Sequence, residues 1–395
     1  MSTQAKNAAL EVNVDDQNCG GVFALVKNVI EHNMSDIQID IAAIEPFEDE
    51  KNIRFLNQFG CCVYPIGTGC NKLKKQLVVY TNLKKLLQKK KYRYVHIHAD
   101  TANKLLVSGI AAKRSGTERI ILHSHSSGID GGHRIIKRVF HILCRRLLKW
   151  IGTDFVSCSD LAAKWMFPNI PPQQIAIINN GIRLEQFRFC SETRQLVRTT
   201  LGLTDELLIG HVGRFNYQKN HSFLIRVMKE ISERDASVKL LLIGKGDLED
   251  DIRQQVRKYG LDGCVIFYGI TDQVHKLMQA MDVFALPSHF EGLPIVGVEA
   301  QAAGLPAVFA QTITREAGVL ENSVFLPITE NAVSTWADTI MRLSKSATDR
   351  SAAYSVLKSK GFDISSTVNS FLHLYKSEQD TQENKLLTQK ENRSQ

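Results

Sequence analysis

The sequence has no uninterrupted apolar run of the ~18 residues that a membrane-crossing helix requires. Its first residues, MSTQAKNAALEVNVDD, lack the charged-then-apolar layout of a secretory signal, so a cytoplasmic location is expected. The eight cysteines are scattered, without a CxxC pair or a His-paired spacing. That argues against a disulfide framework and a zinc site, and it suits a reducing compartment. No Asp-x-Asp metal motif occurs, and no GxGxxG opens a helix, which disfavours a dinucleotide-dependent dehydrogenase. Nucleic acid is not an expected partner, because no reading motif accompanies the positive charge.

What is present is ordinary for a globular protein: 395 residues, 44% hydrophobic and 23% charged. That length exceeds what one hydrophobic core serves, so two domains are expected. The net charge of +8 is concentrated in the first half, in KLKKQLVVYTNLKKLLQKKKYR (72–93) and RIIKRVFHILCRRLLK (134–149).

From residue 207 short apolar runs recur: LLIGHVG (207–213), VKLLLIG (238–244), CVIFYG (264–269), DVFALP (282–287) and AVFA (307–310). Each is bounded by Gly, Pro or Asp, and amphipathic stretches such as SFLIRVMKEISERD lie between them. Strand, loop and helix in repetition imply a parallel sheet with helices on both faces. The first half repeats the pattern at 9–14, 37–44, 61–66, 94–99, 119–125, 155–159 and 175–182. After 378 the chain is polar and aperiodic, the composition of a disordered tail (379–395).

Ligands of such sheets bind at the carboxyl ends of the strands. There, PSHFEGLPIVGVEAQAAGLP (287–306) carries Glu291 and Glu299, separated by seven residues. Pro294 stands where a helix begins, leaving the amides of Ile295, Val296 and Gly297 as unpaired donors for a phosphate. Glu299, one turn in, suits a diol such as ribose, and Glu291 a neighbouring sugar hydroxyl. VGRFNYQKNHS (212–222) follows a strand directly and offers Arg214 and Lys219 to a diphosphate.

With Gly213-Arg214-Phe215 and Lys219, the LLIGKGD turn (241–247), ALPSHFEGLP and the Glu pair, segment 207–310 resembles the family 4 retaining glycosyltransferases of the GT-B fold. EGLPIVGVEAQAAGLP is similar to the subgroup that builds bacterial capsular and extracellular polysaccharides. The resemblance implies an α/β architecture of two doubly wound, Rossmann-like domains facing a central cleft. Residues 1–190 would bind acceptor and 191–362 the donor, with a helix at 363–378 returning to the first domain. It implies transfer of a hexose from a nucleotide sugar, a UDP-sugar by family preference, to a lipid-linked or saccharide acceptor. No cofactor is required, and metal independence is expected. Arg214 and Lys219 would hold the diphosphate, Glu299 the ribose and Glu291 the sugar. Tyr268 and Ile270 would lie against the base, and Gly244, Pro294, Ile295 and Val296 beside the donor. In the first half, Gly20 and Gly21 correspond to the Gly-rich loop. His125 rather than His123 corresponds to the histidine over the donor sugar, which completes a catalytic set of His125, Glu291, Arg214 and Lys219.

Of His96 and His98 in YVHIHAD, one is expected to face a helix layer and the other to approach the cleft. No first-half carboxylate stands out as a nucleophile, and Asp100 and Asp130 stay open for that role. The resemblance implies front-face attack instead, with the leaving diphosphate taking the acceptor's proton. Segment 134–149 has basic residues at helical spacing and an apolar side, from Ile135 to Leu147. Two readings stand: a packed helix with a solvated cationic face, or peripheral contact with an anionic membrane. Two rivals to transfer are a nucleotide-sugar 2-epimerase of the same architecture and a non-catalytic nucleotide-sugar-binding subunit.

Overall fold

Runs of β-branched residues alternating with amphipathic helices bury both sheet faces only between two helical layers. The chain builds this arrangement twice. The computed structural model describes residues 8–16, 21–33, 37–68, 74–345 and 349–375. Gly20, residues 376–378 of the expected C-terminal helix and the 379–395 tail lie outside them.

The first sheet contains β1 (Ala8–Val12), β2 (Gln38–Ala43), β3 (Val63–Pro65), β4 (Tyr94–Ala99), β5 (Arg119–Ser124), β6 (Asp154–Ser157) and β7 (Ile175–Ile177). Its order is β3-β2-β1-β4-β5-β6-β7, and every pairing is parallel. The second contains β8 (Leu208–Val212), β9 (Lys239–Ile243), β10 (Val265–Gly269), β11 (Val283–Leu286), β12 (Ala307–Ala310) and β13 (Ser323–Leu326). It runs β10-β9-β8-β11-β12-β13, also parallel throughout. The order reverses between β1 and β4 and between β8 and β11, and each reversal opens a crevice at the carboxyl ends. These are two Rossmann-like domains of the GT-B type.

Side-chain alternation divides the first domain's core in two. Leu10, Val12, Val95, Ile97 and Leu122 pack with Val79, Leu83 and Leu105 from the helices Lys75–Lys89 and Ala102–Arg114. On the opposite face Ala9, Ile41, Tyr94 and Ile121 meet Val26 and Val29 of the helix Gly21–Glu31, and Val368 and Phe371 of the helix Ile364–Leu374. That last helix follows the second domain in sequence and completes the core of the first. The two crossings between domains are tied together: Ile182 N–H donates to Phe362 O and Ile364 N–H to Ile182 O, both at 2.9 Å. Leu184 and Phe187, just past the first crossing, already belong to the second core.

The helix Arg134–Arg145 packs on the helix Ala102–Arg114 through its His141 side, and the apolar side expected to pack stays exposed. His141 is its only fully buried residue, held between Ala102 N–H at 3.1 Å and a stack on Trp165. Ile135, Ile136, Val139, Phe140, Leu143, Leu147 and Trp150 are each at least 50% exposed. The apolar side faces outward together with the exposed Arg134, Lys137, Arg138 and Arg146.

Candidate active site

β8 ends at Val212, and the next residues turn across the sheet's crevice. At Gly213 the Lys219 side chain folds back over the strand end, where a Cβ would lie 2.9 Å from it. Gly244, after β9, has φ +137° and sits so close that a Cβ would lie 2.2 Å from Gly213 O. Only glycine combines that conformation with that approach. The two turns are stitched by Gly213 N–H to Ile243 O (2.9 Å) and Phe215 N–H to Lys245 O (3.1 Å).

This scaffold brings Lys219 against Glu291: Nζ is 2.8 Å from Oε1, with both side chains largely buried. Gln218 Nε2 donates to the other carboxylate oxygen at 2.9 Å. Gln218 also receives the His289 amide on its carbonyl at 2.8 Å, so one loop fixes the other. Gln218 was not singled out from the sequence, where a lone glutamine between Tyr217 and Lys219 carries no signal.

Glu299 lies in the first turns of the helix Ile295–Ala302, part-exposed, its carboxylate without a hydrogen-bonding partner among the described residues. Burial, offset in part by Lys219, pushes its carboxyl up to about 7 from an ordinary 4.5. Pro294 proves to be the residue before the helix rather than its first. Consequently Gly297 N–H donates to Pro294 O at 3.0 Å, and the free donors among the described residues are the amides of Ile295 and Val296 alone. The expectation of three unpaired amides is corrected to two, because the helix closes its first turn tightly.

Arg214 is half-exposed, with Asp247 at 4.0 Å, and makes no hydrogen bond or ion pair to Glu291. Tyr268 and Ile270 are exposed beside Gly244, whose N–H donates to the intervening Gly269 O at 2.9 Å. Gly21 opens its helix against the helix Ile295–Ala302: a Cβ there would meet Ile295 Cδ1 at 2.8 Å.

The first domain closes on the loop 290–293. The Ser127 hydroxyl donates to Glu291 O, Ser159 Oγ to Gly292 O at 2.9 Å and Asn180 Nδ2 to Leu293 O at 3.2 Å. A Cβ on Gly292 would lie 2.3 Å from His125 O, so the histidine loop and the glutamate loop are in contact. Asp130, one of the open carboxylates, accepts from Asn216 Nδ2 at 2.7 Å across the same closure. Asp100 is exposed and paired with Lys104 at 2.8 Å.

His125 follows β5 and places Nε2 2.8 Å from His98 Nδ1. His96 and His98 share the face covered by the helix Ile364–Leu374, the deeper His96 against Tyr375 and His98 one step nearer the cleft. Glu11, at the centre of these histidines, escaped the sequence reading. A carboxylate inside the apolar run ALEVNV was its signal. Ligand atoms of His96, His98 and His123 lie within 4.8 Å of one another, the spacing of a metal group. Both ring nitrogens of His96 and of His98 already have hydrogen-bonding partners.

Residues 21–186 match the family described as Glycosyltransferase Family 4, and residues 194–355 the one described as Glycosyl transferases group 1. The chain belongs to this glycosyltransferase family. It is 32% identical over 285 residues to EpsF of Bacillus subtilis (strain 168), described by name as a glycosyltransferase, covering 71% of this chain and 74% of that one. It is 27% identical over 251 residues to the Escherichia coli UDP-Gal:alpha-D-GlcNAc-diphosphoundecaprenol alpha-1,3-galactosyltransferase, covering 59% and 62%. Among solved structures, Anabaena HepE in complex with UDP and glucose superposes with a TM-score of 0.74 at 18% identity, covering 93% of this chain and 98% of that one. The last likeness supports the fold.

Proposed function

We propose that this glycosyltransferase moves a hexose from a UDP-sugar, with retention and without a metal, onto a lipid-linked or saccharide acceptor in polysaccharide assembly. The observation that carries the reading is the seat at the β8/β11 reversal. Lys219 lies close enough to Glu299 to offset part of the effect of burial on its carboxyl, and the helix that carries Glu299 opens with the unpaired amides of Ile295 and Val296. Lys219 and the helix end neutralise the departing diphosphate, Glu299 accepts from the ribose diol, and Arg214 swings in from its exposed position. Tyr268 and Ile270 border the base, with Gly244 beneath the phosphates. Glu291, held by Lys219 and Gln218, meets the sugar with His125 on the facing loop. Attack comes from the face of the leaving diphosphate, which takes the acceptor's proton; the protein supplies position and charge.

The named EpsF and galactosyltransferase relatives support sugar transfer, the second onto a lipid-diphosphate-linked sugar, and an epimerase of the same architecture draws no support from them. Retention of both glutamates, with Lys219 paired to Glu291, favours an enzyme over a silent binding subunit.

The acceptor side carries the outward apolar and basic helix Arg134–Arg145, which begins beside the cleft: the Arg134 guanidinium lies 3.4 Å from the Tyr217 ring centre. A helix with this division rests in the headgroup layer of an anionic membrane, where a lipid-linked acceptor is presented. The helices of the described residues are too short or too polar to cross a membrane. The test is incubation with UDP-glucose, UDP-galactose and UDP-N-acetylglucosamine in EDTA, with lipid-diphosphate-linked saccharides as acceptors. An α-linked product is expected. Strict dependence on added Mg²⁺ or Mn²⁺, or a β-linked product, overturns the corresponding part.

A further inference from the structure

The alternation of β4 and β5 puts His96, His98, His123 and His125 on one side of the sheet, with Glu11 of β1 alongside in register with His96. Glu11, His96 and His123 are fully buried, and His98 nearly so. Glu11 Oε2 lies 2.6 Å from His98 Nε2, and its other oxygen accepts the Tyr375 hydroxyl. His98 Nδ1 lies 2.8 Å from His125 Nε2. His96 Nδ1 is 2.7 Å from the Tyr375 oxygen, and His96 Nε2 is 3.1 Å from His123 Nδ1.

Those contacts leave little freedom for the protons. Glu11 is ionised: burial alone would raise its carboxyl, and the surrounding histidines outweigh this and hold it well below the usual range. A carboxylate only accepts, so His98 presents Nε2–H to it. Burial, with His96 adding to it, lowers His98 to about 4, and burial, with His98 and His96 beside it, lowers His125 well below its ordinary value. Both rings are therefore neutral near pH 7. A neutral His98 that donates at Nε2 accepts at Nδ1, so His125 donates at Nε2. His125 Nδ1 is then a lone pair, with no partner among the described residues, on a part-exposed residue of the loop that packs against Gly292. The other branch is consistent: with Tyr375 donating to Glu11, its oxygen receives His96 Nδ1–H. His96 Nε2 lies 3.1 Å from His123 Nδ1, and His123 Nε2 has no partner among the described residues.

We propose that Glu11 and His98 are positioning residues that fix the tautomer of His125 and present its Nδ1 to the cleft as a hydrogen-bond acceptor for a hydroxyl of the donor sugar. The ligand chemistry follows: a sugar position bearing a proton donor is taken there, and one bearing only an acceptor, such as a fluoro-substituted carbon or an ether, is rejected. Because Tyr375 ends the helix that crosses back from the second domain, the same carboxylate ties that helix to the sugar-facing histidine. The role of Nδ1 rests on the donor-site reading above; the proton arrangement does not.

The test is the tautomer itself, read from long-range ¹H–¹⁵N correlations of histidine-labelled full-length protein at pH 7, with the His125 signal identified by its loss in His125→Asn. The expected wild-type result is a neutral ring protonated at Nε2. In Glu11→Gln the amide oxygen stays with the Tyr375 hydroxyl and the NH₂ meets His98, so His98 and His125 both switch to the Nδ1–H form. Donor-sugar turnover should then fall about 10-fold or more while the Kd for UDP, which lacks the sugar, stays within about 2-fold. A wild-type His125 protonated at Nδ1 or on both nitrogens overturns the proposal, and needs no variant to fold. So does an unchanged His125 in folded Glu11→Gln. Failure of UDP to bind wild-type protein overturns the donor reading separately, whichever tautomer is seen.

Discussion

Replacing Glu299 by glutamine should make the protein more stable at alkaline pH and worse at holding UDP. The carboxyl is pushed up to about 7 from 4.5, chiefly by burial. A shift of that size corresponds to ~3 kcal/mol between protonation states, and solvent access to the part-exposed residue reduces the usable figure to ~2 kcal/mol. In the folded protein Glu299 keeps its proton to higher pH than in the unfolded chain. The ionisation penalty is therefore absent below about pH 4.5, grows as pH rises towards 7 and is complete above it. Glu299→Gln has no such charge to bury. Wild type and variant should unfold together near pH 5, and the variant should gain ~2 kcal/mol at pH 8, roughly 4–8 °C in the transition of a domain of this size. Thermal unfolding at the two pH values measures it. A variant whose advantage is the same at pH 5 and pH 8 would refute the assignment of the raised pKa to this site. Its affinity for UDP at pH 8 should drop about 10-fold, because an amide cannot accept both ribose hydroxyls as a carboxylate does.

Glu291→Gln weakens the 2.8 Å pairing of Lys219 and removes a negative charge beside the proposed diphosphate seat. UDP should bind about 3- to 10-fold tighter by calorimetry while sugar turnover falls, and weaker UDP binding would count against the pairing. Gly244→Ala sets a Cβ 2.2 Å from Gly213 O in a backbone at φ +137°, and should cost about 2 kcal/mol or more in denaturant unfolding along with UDP binding. Phe371→Ala empties a fully buried position under the histidines; a loss of ~3–5 kcal/mol is expected in the first domain's unfolding. Ile136→Asp with Phe140→Asp touches only exposed side chains, so stability should change by less than about 0.5 kcal/mol while flotation with anionic vesicles is lost. Undiminished flotation would exclude this helix as the membrane contact.

The second domain's strands were legible because their runs are short, β-branched and bounded by turn residues, and AVFA coincides with β12. β13, SVFL, is a half-buried edge strand with no such contrast and was not foreseen. Lys219 and Glu291 were readable as residues on facing strand-end loops, but their direct pairing and the part played by Gln218 depend on how the loops fold over each other. The helix Arg134–Arg145 shows the limit of periodicity. Apolar and basic residues at a helical spacing look the same whether the apolar side meets a core or a membrane. Least visible was the Glu11 group, in which Tyr375 reaches a carboxylate 364 positions away through the returning helix. No local pattern contains that contact, although a glutamate amid ALEVNV marked a place where burial had to be compensated.

Titrating UDP into the purified protein in excess EDTA, for wild type and Lys219→Ala, tests the central claim most directly. The account predicts saturable binding without metal, weakened about 10- to 100-fold by the substitution, the scale for losing a hydrogen bond to a charged group. Absence of binding by UDP, GDP and ADP, or binding that Lys219→Ala leaves unchanged, would contradict it.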